Sequence, residues 1–324
     1  MNTLTVGSSN IDLFLTTHNS SHTPIVDNKV LLTLGDKIPT DIKSMSLGGN
    51  GANVSVGLAR LGLTSQFYTY LGNDVLSLEI QNTIKNEGVA LLIEKERGDS
   101  TSFSLIFDFD HDRVIFSHHP EKKYSFSYES SEPVDFIYLT SIGKEWREAY
   151  KKVLDFALST KASLSFSPGS HQLKEIDDFF FEILKNSQSI FINKEEAQLI
   201  LEQKGIRETE ITNILFSLQK LGPQLISITD GAEGAYALDT QQKAYHIEPI
   251  HIEKPAEKTG AGDSYAAGFI AAYLQGKPVP ECMQWGMLNA HSVMQKIGAQ
   301  KGLLTQNEME EQMKTIEIVA KPIA

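Results

Sequence analysis

In the run Thr259-Gly260-Ala261-Gly262-Asp263, a carboxylate directly follows three small residues and stands at the start of an apolar helical pattern. Its three small residues leave their backbone N–H groups unobstructed, and the first turn of a helix adds unpaired N–H groups and a positive dipole. Such a turn can bind a phosphate or stabilise a developing negative charge. The spacing leaves two roles open for Asp263, a helix cap or a base that takes a proton from a hydroxyl beside the phosphate.

A second glycine cluster, Gly-Gly-Asn-Gly-Ala-Asn at 48–53, opens another helical pattern. Glycines permit close approach of the backbone to a ligand, and the Asn53 amide both donates and accepts, as recognition of vicinal hydroxyls requires. Asp12 follows the first predicted strand, where ligands bind in open α/β sheets. Each has a structural alternative: Asn53 could cap the helix, and Asp12 could form a turn.

Short apolar runs alternate with helical patterns along the chain. The runs predict buried strands at 3–6, 66–70, 136–139, 162–166, 190–192 and 225–228. The helical patterns cover 51–61, 76–87, 145–158, 175–186, 195–201 and 208–221, followed by 263–274 and 280–297. This alternation predicts a largely parallel sheet with helices on both faces.

Two stretches, 26–46 and 101–118, have apolar residues without helical period. In the second, strand patterns flank an Asp-His-Asp turn at 110–112, which indicates a β-hairpin. We expect these stretches to form a small lid outside the main sheet; the alternative is a plain edge hairpin. The pair His118-His119 at its end could contact substrate or be a solvated pair.

The composition excludes several classes of binding partner and site. The 324 residues include 29 Lys and Arg against 41 Asp and Glu, a net charge of −12 that disfavours nucleic acid and anionic membranes. The single cysteine, Cys282, excludes an intrachain disulfide and a cysteine-based zinc site. The first residues lack the basic and apolar regions of a signal peptide, so we expect a cytoplasmic protein.

Three motifs in order, 48–53, Asn193-Lys194-Glu195-Glu196 and 259–263, resemble those of the PfkB, or ribokinase-like, family of carbohydrate and nucleoside kinases. The resemblance extends from residue 3 to about 304 and includes Thr-Asp-Gly-Ala-Glu-Gly at 229–234. It implies a single domain over 1–324, a three-layer α/β/α sandwich with a mostly parallel central sheet. A small β-sheet lid would be formed by about 13–46 and 92–125.

The resemblance also implies roles for individual residues. Asp263 would be the catalytic base, and the anion hole would be formed by Gly260, Ala261 and Gly262. The substrate would be held by Asn10, Asp12, Gly48, Gly49 and Asn53. The ATP site would include Asn193, Thr229, Gly231, Gly234 and Thr259, while Asn193 and Glu196 would hold Mg²⁺ through water.

The chain departs from this pattern near a monovalent-cation site of potassium-activated members. Glu257 stands where an aspartate is usual, and Gly302 stands where a serine contributes. Potassium dependence is therefore left open.

The function implied is ATP- and Mg²⁺-dependent transfer of a phosphoryl group to a hydroxyl, expected to be a primary one, of a sugar such as ribose or fructose. One alternative is an adenosine-like nucleoside kinase. Phe103, Phe107 and Phe116 alternate on the predicted lid strands and could stack a base there, or they could pack the apolar face of the lid. Another is a non-catalytic regulatory protein that binds nucleotide or sugar. Many relatives dimerise through the lid, so the resemblance also implies a homodimer.

Overall fold

The computed structural model describes residues 1–17, 23–27, 29–95, 100–109, 112–121, 123–130 and 132–323. Its strands are β1 (Asn2–Val6), β2 (Asn10–Thr17), β3 (Ile25–Val26), β4 (Lys29–Val30), β5 (Thr40–Gly48), β6 (Thr64–Leu71), β7 (Ala90–Lys95), β8 (Phe103–Phe109), β9 (Asp112–His118), β10 (Phe136–Thr140), β11 (Ser163–Ser167), β12 (Ser189–Asn193), β13 (Leu225–Thr229), β14 (Ala235–Leu238), β15 (Ala244–Ile247) and β16 (Lys321–Ile323).

The helices are α1 (Asn50–Arg60), α2 (Val75–Asn86), α3 (Arg147–Thr160), α4 (Ser170–Leu173), α5 (Asp178–Asn186), α6 (Lys194–Glu202), α7 (Ile211–Gln219), α8 (Ala261–Leu274), α9 (Val279–Met294) and α10 (Gln306–Thr315). A 3-10 turn covers Gly231–Glu233. Across the residues described, no helix has both the length and the apolar character needed to cross a bilayer.

The central sheet has ten strands in the order β16-β15-β14-β13-β12-β11-β10-β1-β6-β7. The seven strands from β13 to β7 are parallel, and β14 to β16 add an antiparallel edge. The predicted parallel sheet is confirmed; the antiparallel edge was not predicted because its strands are only three or four residues long.

Helices cover both faces of this sheet, because alternate residues of one strand point to opposite sides. On β10, Ile137 and Leu139 pack with α3, α5, α6 and α7. Phe136 and Tyr138 of the same strand pack with α1, α8 and α9 on the other face. This arrangement confirms the three-layer α/β/α sandwich.

A separate four-stranded sheet, in the order β5-β2-β8-β9, is called the lid sheet below. The hairpin β8–β9 is confirmed from Phe103↔His118 to Phe109↔Asp112, and it belongs to this sheet rather than to the edge of the central one. Positions 110 and 111 of the predicted turn lie outside the described residues. The predicted lid bounds need correction: β2 begins at Asn10, and residues 92–95 belong to β7 of the central sheet, whose apolar run was not recognised as a strand.

Candidate active site

Two cavities meet at the start of α8. The first, called the lid-side cavity, has a volume of about 570 Å³ and lies between the lid sheet and the carboxyl ends of the central strands. The second, called the strand-end cavity, has a volume of about 330 Å³ and lies over β12 and β13. Both cavities are lined by Asn50, Ser141, Ser170, Gly262 and Asp263.

Asp263 lies in the first turn of α8, where no side chain caps the helix. Its Oδ2 accepts a hydrogen bond of 2.8 Å from the Nδ2 group of Asn53 on α1. Burial raises the pKa of Asp263 to about 6, and the hydrogen bond from Asn53 opposes that rise. The carboxylate therefore turns toward the two cavities and toward α1 instead of capping its own helix.

The two glycines before Asp263 differ in their surroundings. Gly260 has a φ of +81°, and a Cβ there would lie 2.5 Å from the Cβ of Ala299. Gly262 has no atom within 4 Å of its Cβ position, so its backbone faces open space. The N–H of Ala261 donates to the carbonyl of Lys258 at 3.3 Å, whereas the Gly262 N–H belongs to the first turn of α8, whose N–H groups have no intrahelical partner.

Asp12 is buried at the start of the lid sheet, on β2. The Asn10 amide donates to its Oδ1 at 2.6 Å, and a Cβ at Gly48 would lie 2.2 Å from its Oδ2. Burial raises the pKa of Asp12, hydrogen bonds from Ser104 and Asn10 lower it, and the negative charge of Glu257 raises it further. Asn10, Asp12 and Ser104 line the lid-side cavity, and Gly48 packs against Asp12 without lining it.

Gly49 is the N-cap of α1 and Asn53 lies in its first turn, and this helix brings the second glycine motif against the first. Gly49 precedes the helix with a φ of +96°, and a Cβ there would lie 2.6 Å from the carbonyl oxygen of Ser8. Besides its bond to Asp263, Asn53 accepts from the Nε2 group of Gln300 at 3.2 Å through its Oδ1. Asn53 therefore uses one donor and one acceptor in hydrogen bonds within the protein. It is not the N-cap of α1, which is Gly49.

Asn193 and Glu196 form a reciprocal cap at the start of α6. Asn193 Oδ1 accepts from the Glu196 N–H at 2.8 Å, and Glu196 Oε2 accepts from the Asn193 N–H at 2.9 Å. Burial raises the pKa of Glu196, the Asn193 N–H lowers it, and the charges of Glu195 and Asp263 raise it. Both capping residues line the strand-end cavity together with Thr229.

The remaining predicted nucleotide residues lie elsewhere. Gly231 and Gly234 bound the 3-10 turn after β13 and are not among the residues lining either cavity. Gly234 has a φ of +85°, and a Cβ there would lie 2.0 Å from the carbonyl oxygen of Ile247, so the turn itself requires glycine. Thr259 lines the lid-side cavity, not the strand-end cavity.

Residues of the lid hairpin that sequence reasoning missed form the outer wall of the lid-side cavity. They occupy alternate positions of β8 and β9: Ser104, Ile106, Ile115 and Ser117. Because strand residues alternate between faces, the three phenylalanines at 103, 107 and 116 lie on the opposite face, where Phe107 and Phe116 form an edge contact of 5.7 Å. The period-2 pattern could have identified these cavity residues once the cavity side was known.

Two histidines also line the lid-side cavity. His119 follows β9, and His171 belongs to α4. Burial lowers the pKa of His119, and the nearby His171 and His118 lower it further. Tyr124 completes this part of the wall. His119 was identified in the sequence without a decision on its role, and His171 was not singled out at all.

Glu257 is buried beside the glycine turn, with its side chain 7% exposed. Its Oε1 accepts from the N–H groups of Lys258 at 2.8 Å and Thr259 at 2.9 Å, and from the Thr259 hydroxyl at 2.9 Å. The Nη1 group of Arg113, on β9 of the lid sheet, donates to the same oxygen. A Cβ at Gly302 would lie 2.4 Å from the Ser292 carbonyl oxygen, so no side chain fits there.

The comparisons with known proteins decide the family. The sequence matches the pfkB family carbohydrate kinase profile over residues 3–306. The chain belongs to the pfkB family. It is 26% identical to a nucleoside kinase of Methanocaldococcus jannaschii over 82% of this chain and 85% of that one. It is 24% identical to the ribokinase of Bacillus subtilis over 96% and 98% of the two chains.

The fold agrees with this assignment. The structure of a ribokinase from Cryptococcus neoformans in complex with ADP has a TM-score of 0.71, with 19% identity, and covers 96% of this chain and 99% of that one. As a pfkB family member the chain is a phosphotransferase that acts on a hydroxyl group, and ATP binding is typical of the family. The non-catalytic alternative is therefore wrong.

Proposed function

We propose that this pfkB kinase transfers the γ-phosphoryl group of ATP to a primary hydroxyl of a free sugar, such as ribose or fructose, held in the lid-side cavity. The observation that carries the proposal is the position of Asp263, whose carboxylate borders both cavities beside the open backbone of Gly262. An acceptor hydroxyl in the lid-side cavity and a phosphate in the strand-end cavity would then both lie beside the Asp263 carboxylate.

Asp263 acts as the general base in this proposal. A pKa near 6 leaves the carboxylate ionised at neutral pH, and basic enough to take the hydroxyl proton as the oxygen attacks. The Gly262 N–H and the N-terminus of α8, with Gly260 and Ala261 shaping the turn, stabilise charge on the transferred group. Asp12 and Asn10 orient the sugar hydroxyls, with Gly48 and Gly49 making room for them.

The strand-end cavity fits the triphosphate and Mg²⁺. The negative charge of Asp263 raises the pKa of Glu196, and a divalent cation between them would offset that repulsion. Within the described part of the chain, no cluster of three or more His, Cys, Asp or Glu residues could hold a metal alone. Glu196 and Asn193 would therefore hold Mg²⁺ through water, and the bound ion would neutralise phosphate charge.

The nucleotide would extend from this cavity past Thr229 toward the turn that contains Gly231 and Gly234. Thr229 ends β13, and that turn follows directly, so all three lie at the carboxyl end of a central strand, the side on which α/β sheets bind ligands. Thr259, bonded to Glu257, would act by holding the glycine turn in shape.

The wall of the lid-side cavity favours a sugar over a nucleoside. The three phenylalanines that could have stacked a base lie on the far face of the lid sheet, and the cavity face carries Ser104, Ser117 and two isoleucines instead. Further serines at 8, 9, 102, 141 and 170 line the same cavity. Hydroxyl groups that donate and accept suit a polyhydroxylated ligand.

We also propose that two copies pair through the lid sheet. Its outer face carries Ile42, Met45 and Phe116, each at least half exposed. Contiguous exposed apolar surface of this kind marks an interaction site, and a second copy offers the same surface in return.

The test is ADP production from Mg-ATP with ribose, fructose, other sugars and nucleosides as acceptors. We expect turnover with one of the sugars and a loss of at least about 10²-fold in kcat for Asp263→Asn, the lower range for a general base. Glu148→Gln, an exposed carboxylate change on α3, is the matched control and should retain full activity. Turnover with nucleosides alone, or an Asp263→Asn variant as fast as the wild type, would overturn the proposal.

A further inference from the structure

Arg113 and Glu257 connect the lid sheet to the glycine turn through one carboxylate oxygen. Arg113 lies on β9, an edge strand of the lid sheet, 144 residues from Glu257 in the sequence. Ile115 and Ser117, two and four residues further along the strand, line the lid-side cavity. The strand that forms the wall of the cavity is therefore the strand that bonds to Glu257.

The same oxygen of Glu257 organises the backbone that leads into Gly260 and Gly262. It accepts both N–H groups of residues 258 and 259 and the hydroxyl of Thr259. Fixing these two peptide units fixes the direction in which the chain enters the turn. The orientation of the Gly262 N–H therefore depends on where the Glu257 carboxylate lies.

The charge on Glu257 is costly without the guanidinium. The carboxylate is almost fully buried and lies near Asp12, whose pKa its negative charge raises. Without the guanidinium, Glu257 would keep its three hydrogen bonds from residues 258 and 259 but lose the positive charge that faces it, which weakens the local structure because a buried charge is unfavourable without a counter-charge. When the lid strand is displaced, Glu257 loses this partner, and water or rearrangement of the loop must replace it.

We propose that Arg113 is a positioning residue that couples closure of the lid sheet to the shape of the anion hole. With the lid in place, the guanidinium holds Glu257, Glu257 holds the peptides of Lys258 and Thr259, and the Gly262 N–H faces the transferred phosphoryl group. With the lid displaced, that geometry relaxes, so the donors are aligned only when the acceptor is enclosed. The inference rests on the proposed roles of Gly262 and Asp263.

The first experiment compares Arg113→Met, Arg113→Lys and Lys43→Met. Lys43 forms an ion pair with Asp108 within the lid sheet, so Lys43→Met removes a lid charge of similar exposure without touching Glu257. We expect Arg113→Met to lower kcat by about 10- to 100-fold, because a misplacement of about 1 Å costs up to about 10²-fold. The KM for Mg-ATP should change little, Arg113→Lys should recover most of the rate, and Lys43→Met should match the wild type.

A second experiment tests the route through Glu257. If Arg113 acts through that carboxylate, Arg113→Met combined with Glu257→Gln should be no slower than the slower single variant. Amide hydrogen exchange over residues 257–262 should be faster in Arg113→Met and unchanged in Lys43→Met, which reports the loop without relying on activity. Multiplicative losses in the double variant, equal losses in Lys43→Met, or unchanged exchange would overturn the coupling.

The outcomes separate this inference from the proposed function. An inactive Asp263→Asn variant together with a fully active Arg113→Met variant would remove the coupling and leave the base in place. An active Asp263→Asn variant would instead remove the proposed chemistry, whatever Arg113 does. Thermal unfolding of each variant shows that the comparison is made between folded proteins.

Discussion

The Nδ2 atom of Asn53 lies 2.8 Å from Oδ2 of Asp263, across 210 residues of sequence. This bond joins the first turns of α1 and α8, the two helices that the glycine motifs open. It stabilises the ionised carboxylate against the cost of its burial. Asn53 was expected to contact substrate, and the bond gives it a further role, because it adjusts the basicity of the residue proposed to take the proton.

The first prediction concerns the pH dependence of the reaction. Asp263 must be ionised to accept a proton, so kcat/KM should be constant well above pH 6 and fall as pH drops through about 6. In Asn53→Ala the bond that lowers the pKa is lost, so the acid limb should move to higher pH by at least about half a unit.

Gln300→Ala is the control for this shift. It removes the bond from Gln300 to Asn53 Oδ1 and leaves the bond from Asn53 to Asp263 in place. Its acid limb should stay closer to that of the wild type. A downward shift in Asn53→Ala, or equal shifts in both variants, would contradict the assigned role of Asn53.

The sequence predicts features that depend on neighbouring residues, and it does not predict contacts between residues that are far apart in the chain. The parallel strands and the helix opened by the glycine turn were predictable, because burial and turn chemistry leave local patterns. The contact of Arg113 with Glu257 was not, since each is an ordinary charged residue in its own segment. Only the pairing of β8 with β9 and the position of the lid sheet bring them together.

The same limit applies to the phenylalanines of the lid hairpin. Their alternation predicted one shared face correctly, but alternation does not say which face meets the ligand. The structure turns Ser104 and Ile106 toward the cavity and Phe103 and Phe107 away from it. The choice is made by tertiary packing, which no local pattern records.

A second prediction is that Gly262→Ala folds and loses activity. The Cβ position at 262 is open, and alanine is favoured over glycine in a helix by up to about 1 kcal/mol, so the thermal midpoint should not fall. The added methyl would occupy the space that both cavities share and keep the phosphoryl group from the Gly262 N–H. Loss of such a donor costs about 10²- to 10³-fold in kcat. An unchanged kcat would show that this N–H does not serve the reaction.

A third prediction concerns potassium. The Oε1 atom of Glu257 already accepts from the Arg113 guanidinium and from three other donors, and position 302 has no room for a side chain. These residues do not fit a monovalent-cation site of the kind found in potassium-activated relatives. We expect kcat to be the same in potassium chloride and in sodium chloride at equal ionic strength. Activation by potassium alone would show that the cation uses other oxygens.

The last prediction concerns the outer face of the lid sheet. If two copies meet there, the wild-type chain should sediment as a dimer, and Met45→Ser combined with Phe116→Ser should sediment as a monomer. Both changes remove exposed apolar surface and leave the cavity face untouched.

Leu158→Ser is the matched control, because Leu158 is 56% exposed on α3, away from the lid sheet. A stable interface buries about 800 Å² on each partner and depends on a few apolar side chains, so two polar substitutions on this face should break it. A wild-type monomer, or a dimer unaffected by the double substitution, would place the subunit contact elsewhere or remove it.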